Sequence, residues 1–201
     1  TVDQIFERLD QSLLELLKED RGIERKPPNF HGEALGEYIS MWANTPPDGG
    51  ILVLGIADDG TFMGCSGLSQ DQLNHVDKAQ DLCADSRCIV KRVPVTLTNG
   101  VTDFVIAIRA HYLKHRVAKT PKGEVFARRG DSKKKLKLDD VMDLQTDKGE
   151  ISFEQEPCHL KYPEDFDIDA IHSFAARVIE LCNLTTNPSP EEILVVKHLA
   201  T

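Results

Sequence analysis

One short segment constrains the fold more than any other. Ile51-Leu52-Val53-Leu54-Gly55-Ile56-Ala57 is an almost unbroken apolar run, opened by Gly49-Gly50 and closed by Asp58-Asp59-Gly60. A run this short, bounded by turn residues, reads as a strand buried on both faces. Asp-Asp-Gly ends it in a hairpin-type turn. On its N-terminal side, Ile5, Phe6, Leu9, Leu13, Leu16 and Leu17 recur at helical spacing and predict a helix over 2–18, with Gly22 as its stop. Ile23 to Lys26 is a short extended piece. A second helix is expected over 32–44, with Leu35, Ile39, Trp42 and Ala43 on one stripe.

Beyond the run, Ser69-Gln70-Asp71-Gln72 is a capping box that opens a helix of about three turns. Residues 89–98 alternate, with Val93, Val95 and Leu97 on one face; Pro94 marks an edge or a bulge. Asn99-Gly100 turns the chain into a strand from Val101 to Arg109. Further elements are a strand from Glu124 to Arg129 and a short helix from Leu138 to Gln145. After Gly149 the chain becomes acidic and irregular, then helical over 167–183. Ser189-Pro190-Glu191-Glu192 is a second capping box, opening a helix over Ile193 to Ala200. The pattern predicts an α+β fold, a mixed β-sheet of roughly five or six strands with packed helices, followed by a helical extension. The expected division is 1–149 and 150–201. A start at Thr1 and an apolar last helix read as the front part of a longer protein.

No stretch of about 18 apolar residues exists, so no membrane span is expected. Five cysteines, odd in number and without a CxxC pair, read as free thiols in a reducing, cytoplasmic setting. The net charge of −9 hides an asymmetry: residues 109–137 carry eleven basic and two acidic side chains, +9, leaving −18 elsewhere. Charge alone points equally to a polyanion-facing surface and to a solvated charged hairpin.

Three stretches together resemble one family. They are Glu19-Asp20-Arg21-Gly22-Ile23-Glu24-Arg25-Lys26; Trp42-Ala43-Asn44-Thr45 with Gly49 through Gly60; and Val125-Phe126-Ala127-Arg128-Arg129-Gly130-Asp131-Ser132. In order and spacing they are similar to the Schlafen AlbA-type domain. Two departures stand out: Arg25 replaces a usual Phe, and Pro46-Pro47-Asp48 lengthens the loop before the glycine pair.

The resemblance implies a nucleic-acid-binding module, for DNA ahead of RNA, in a larger predicted transcriptional regulator or RecG-like helicase relative. Any ATP site would then lie outside this chain, and no cofactor is certain. It also implies an alternative, a metal-dependent endoribonuclease acting on structured RNA. There Glu19, Glu24 and Asp58 would gather a Mg²⁺ or Mn²⁺ ion that activates water, with Asp59 a weaker candidate. Lys26 would hold phosphate as a point charge. The bland alternatives are that Glu24 pairs with Lys26 or Arg129 and that Asp58 shapes its turn. For phosphate contact the candidates are Arg128, Arg129, Lys133, Lys134 and Lys135. Arg128 and Arg129 point to opposite faces of a strand, so at most one need be buried against an acid. The lysine triplet is expected to be exposed. Asn44 and Thr45 are expected to organise their loop, and Phe126 and Trp42 to be core rather than base-stacking residues. A third class is a homo-oligomeric scaffold.

Overall fold

The computed structural model describes residues 1–29, 32–130, 132–151, 163–184 and 188–196. The chain forms two compact units, Thr1–Ile151 and Ser152–Thr201.

The first unit is built on a four-stranded sheet. Its strands are β1 (Ile23–Lys26), β2 (Gly49–Leu54), β3 (Cys88–Thr96) and β4 (Thr102–His111), in the order β1-β2-β4-β3. β1 runs parallel to β2, and the remaining pairs are antiparallel. The apolar run is therefore a central strand. Ile51 and Val53 face one side with Phe6, Leu9 and Leu14, which belong to the paired helices α1 (Val2–Arg8) and α2 (Gln11–Leu16) and the link between them. Leu52 and Leu54 face the other side with Leu35, Ile39 and Trp42 of α3 (Gly32–Ala43). Both faces are covered, which is why no polar residue interrupts the strand. Pro94 lies in β3 at the sheet edge, where a missing N–H leaves no ladder position unfilled.

The single helix expected over 2–18 is two helices. Asp10 adopts extended backbone and its carboxylate accepts from Leu13 N at 2.8 Å, an N-cap that restarts the chain after Leu9. Apolar spacing continues across this break because both helices pack on one sheet face. Glu19 consequently follows α2 in irregular chain and does not close a helix. The capping box at Ser69 forms, but its helix α4 (Gln70–Asp77) has eight residues, about two turns. Residues Ala79–Cys83 continue as a 3₁₀ turn against α3.

A second sheet holds only β5 (Phe126–Arg129) and β6 (Ser132–Lys135), paired antiparallel. In place of the expected single sheet there are four strands plus this hairpin, whose β6 has no counterpart among the expected elements. Helix α5 (Leu138–Asp147) follows. The α+β class holds. In the second unit, Asp167 caps α6 (Ile168–Leu181) and Ser189 with Glu192 caps α7 (Pro190–Val196). Most of the irregular acidic stretch lies outside the described residues. Cys65, Cys83, Cys88 and Cys182 are free thiols, and Cys158 lies outside the described residues. No helix among the described residues is long and apolar enough to cross a membrane.

Candidate nucleic-acid interface

The site begins with two glycines and a tryptophan. Gly49 has φ +79°, and a Cβ on Gly50 would occupy the indole ring of Trp42. The pair therefore lets β2 pass directly against α3. The last turn of α3 then grips the hairpin. Ser40 Oγ donates to Ala118 O at 2.9 Å and accepts from Phe126 N at 3.1 Å. Asn44 Nδ2 donates to Ala118 O at 2.8 Å and to Phe126 O at 3.1 Å, while its Oδ1 accepts from Ala118 N at 2.9 Å. Thr45 Oγ1 accepts from Arg128 N at 3.0 Å and donates to Met41 O. All three side chains are buried. The Asn-Thr pair thus docks the Arg-Arg strand, a long-range role distinct from organising its own loop. Phe126 and Trp42 are core residues, as expected.

Strand alternation sorts the basic residues. Arg128 points inward, its side chain 5% exposed with Nη1 3.6 Å from Glu24 Oε2, whereas Arg129 points outward at 61% and pairs with Asp140. The lysine triplet divides in the same way. Lys133 lies over the Tyr38 ring, 4.2 Å from its centroid, and pairs with Glu37 at 2.5 Å. It is therefore not part of an exposed triplet. Lys134 is exposed and Lys135 pairs with Glu124.

β1 presents Glu24 and Lys26 to this cluster, while Ile23 and Arg25 face the opposite side. Lys26 Nζ is 2.7 Å from Glu24 Oε1 and 3.9 Å from Glu19 Oε1. Tyr38 OH donates to Glu24 Oε1 at 3.0 Å. Burial, then the adjacent Glu24 carboxylate, raise the Tyr38 phenol well above its ordinary range. Arg25 is buried and donates from Nη2 to Leu14 O at 3.0 Å, a carbonyl in the last turn of α2.

These surroundings decide whether the acidic trio suits a divalent ion. Glu24 already meets Lys26, Tyr38 and Arg128. Glu19 Oε1 accepts from Arg25 N at 2.8 Å. Asp58 is exposed on its turn, and Asp59 Oδ1 accepts from Thr61 N there, which lowers the Asp59 carboxyl below its usual range. Among the described residues, no three His, Cys, Asp or Glu side chains converge to hold a metal. As arranged, Glu19, Glu24 and Asp58 do not fit Mg²⁺ or Mn²⁺. Glu24 is neutralised by cationic side chains, and Asp58 stands apart.

Most of the basic segment is matched as well. Arg109 is buried and pairs with Asp3, Arg116 with Asp85 and Lys122 with Glu33. Within 109–137, Lys114, Lys119, Lys134 and Lys137 are exposed and have no ion pair with a described residue. Tyr38 and Glu37 were missed from sequence. Tyr38 precedes Trp42 by one helical turn, and their rings lie 5.8 Å apart, so the stripe itself carried that signal. Glu37 carried no local signal.

Residues 17–137 match the Schlafen, AlbA_2 family. Among solved structures, the chain is similar to the DIP2311 protein from Corynebacterium diphtheriae. The identity is 16% and the TM-score 0.50, over 96% of this chain and 36% of that one. The chain thus spans about a third of the length of that relative, and at this identity the likeness concerns the fold alone. No curated protein matches the chain.

Proposed function

The chain belongs to the Schlafen, AlbA_2 family, and from that premise we propose that residues 1–149 are a nucleic-acid-binding module of a larger regulator, with DNA as the preferred partner. Family membership is consistent with nucleic-acid binding. The observation that carries the reading is the outward face of the β5–β6 hairpin, where Arg129 and Lys134 are exposed, with Lys137 exposed in the chain just past β6. Asn44 and Thr45 fix that hairpin to the core, so its cations are held on a rigid element. Phosphate contacts of this kind set affinity and position without reading sequence. Lys26, Arg128 and Lys133, paired inward, act by shaping the hairpin's base.

The test is binding of labelled duplex DNA and RNA over a salt series, with wild type and a Lys134→Ala/Lys137→Ala variant. The expected result is weaker binding of both polymers and a salt slope reduced by about one per lysine removed. Unchanged affinity and slope in the variant, or no wild-type binding at low salt, would refute the proposal.

A further inference from the structure

In the first unit, a cavity of about 620 Å³ opens between the loop before β2, the segment after β4 and the end of α5. Pro46 and Pro47 form one wall, with Tyr112, Lys114 and His115 on another. Lys148 is its buried floor. The Lys148 ammonium shares its three N–H groups among four acceptors within reach, Ala43 O at 3.1 Å, Asn44 Oδ1 at 3.0 Å, Leu113 O at 2.7 Å and Arg116 O at 2.9 Å. All four acceptors are neutral, and no carboxylate of a described residue forms an ion pair with it. The same ammonium lies 4.9 Å from the centroid of the half-buried Tyr112 ring. At the rim, Lys114 is exposed without an ion pair, and Arg21 Nη2 donates to Pro46 O at 3.2 Å. Among the described residues the lining holds one carboxylate, Asp147; burial lowers the Lys148 pKa to about 8, and the Glu150 charge acts on it in the opposite direction.

An aromatic ring, two prolines, and positive charge in excess describe a site for a flat, anionic ligand. An aromatic face takes any base without reading its sequence, and clustered cations take its phosphate. Asp147 is an acceptor for the amino or imino hydrogens of a base edge. From these features we infer that this cavity seats one unpaired nucleotide of the bound nucleic acid, its base on Tyr112 and its phosphate at Lys114 and His115. Inside a continuous duplex both faces of every base are stacked, so the site favours single-stranded ends or junctions over continuous duplex. This inference rests on the nucleic-acid reading above but is tested at Tyr112 and Lys114 rather than at Lys134 and Lys137.

The test is fluorescence anisotropy with a 5′-phosphorylated single strand and the matching blunt duplex. Wild type, Tyr112→Leu, Tyr112→Phe and Lys114→Glu are compared. The expected result is at least about fivefold tighter binding of the single strand. Tyr112→Leu and Lys114→Glu should abolish that preference while duplex affinity stays within about twofold, and Tyr112→Phe should retain it. Because Lys114 is exposed and forms no ion pair with a described residue, its variant reports on the site even if Tyr112→Leu disturbs packing over Lys148. Single-strand affinity unchanged in Lys114→Glu and Tyr112→Leu overturns the cavity site and leaves the hairpin reading standing. Absence of binding to either polymer by wild type overturns both.

Discussion

Asn44 offers the sharpest test of how the interface is held. Replacing it with Ala deletes a buried carboxamide that bonds Ala118 N, Ala118 O, Phe126 O and the Lys148 ammonium. Ser40 still serves Ala118 O, and Lys148 keeps three carbonyls. The Ala118 N–H has no other acceptor among the described residues, and stranding a buried donor costs about 1–3 kcal/mol. The lost Phe126 contact and the small void add about 1–2 kcal/mol. The expected loss is therefore roughly 3–4 kcal/mol, a large part of the ~5–15 kcal/mol of an ordinary domain. With a urea m-value of about 2 kcal/mol/M, the midpoint should fall by about 1.5–2 M. Urea denaturation followed by circular dichroism measures this, and hydrogen exchange at Ala118, Phe126 and Arg128 shows whether the hairpin base loosens first. A midpoint shift below about 0.5 M, with exchange at those amides unchanged, would show that the carboxamide does not hold the hairpin.

Neighbouring lysines should behave oppositely. Lys133→Ala removes the Glu37 ion pair and the Tyr38 contact and should cost about 1–2 kcal/mol, whereas Lys134→Ala should stay within about 0.5 kcal/mol in the same urea assay. Tyr38 should resist ionisation when absorbance near 295 nm is followed to high pH. Its folded pKa lies above the ordinary tyrosine value, so its contribution to stability is complete below about pH 10 and declines as pH rises beyond it. Glu24→Gln should bring that titration to lower pH, and an unchanged curve would remove Glu24 as a cause. Millimolar Mn²⁺ should leave the melting temperature of the protein unchanged, because Glu24 is already matched by Lys26 and Arg128. A rise of several degrees would instead reveal a site that displaces those cations.

What could be read from the sequence was what local spacing encodes. The Ile51–Ala57 run declared a strand covered on both faces, and the two-residue period placed Arg128 and Arg129 on opposite sides. The same period, applied to Ser132–Lys135, separates Lys133 from Lys134. The run Lys133-Lys134-Lys135 has no apolar residue in phase to reveal a strand. The decisive contact, Lys133 with Glu37, joins residues 96 apart in the chain. Asp10 was overlooked for the converse reason: an unbroken apolar spacing concealed a cap that only backbone direction exposes. The acidic trio looked convergent because β1 and β2 are neighbours. Yet Glu24 turns toward α3 and Asp58 extends past the end of β2 onto a solvent-facing turn.

The charge asymmetry changes meaning once the partners are known. Eleven bases in 109–137 suggested a surface of +9, but seven of them are matched by acids from other elements. The acidic remainder of the chain is thus partly the counter-charge of the basic segment, and the free charge reduces to Lys114, Lys119, Lys134 and Lys137. If Lys119, Lys134 and Lys137 each neutralise one phosphate of a duplex, with Lys114 serving the cavity, the slope of log K against log salt is about −2.7; engagement of all eleven bases would give about −10. Affinity should accordingly be modest at physiological salt. A measured slope steeper than about −6 would mean that the carboxylates release their partners on binding, with Glu37, Glu124 and Asp140 exchanged for phosphates. That outcome predicts that Glu37→Gln and Asp140→Asn, which free Lys133 and Arg129 in advance, bind more tightly than wild type. With a shallow slope, the same substitutions should leave affinity within about twofold.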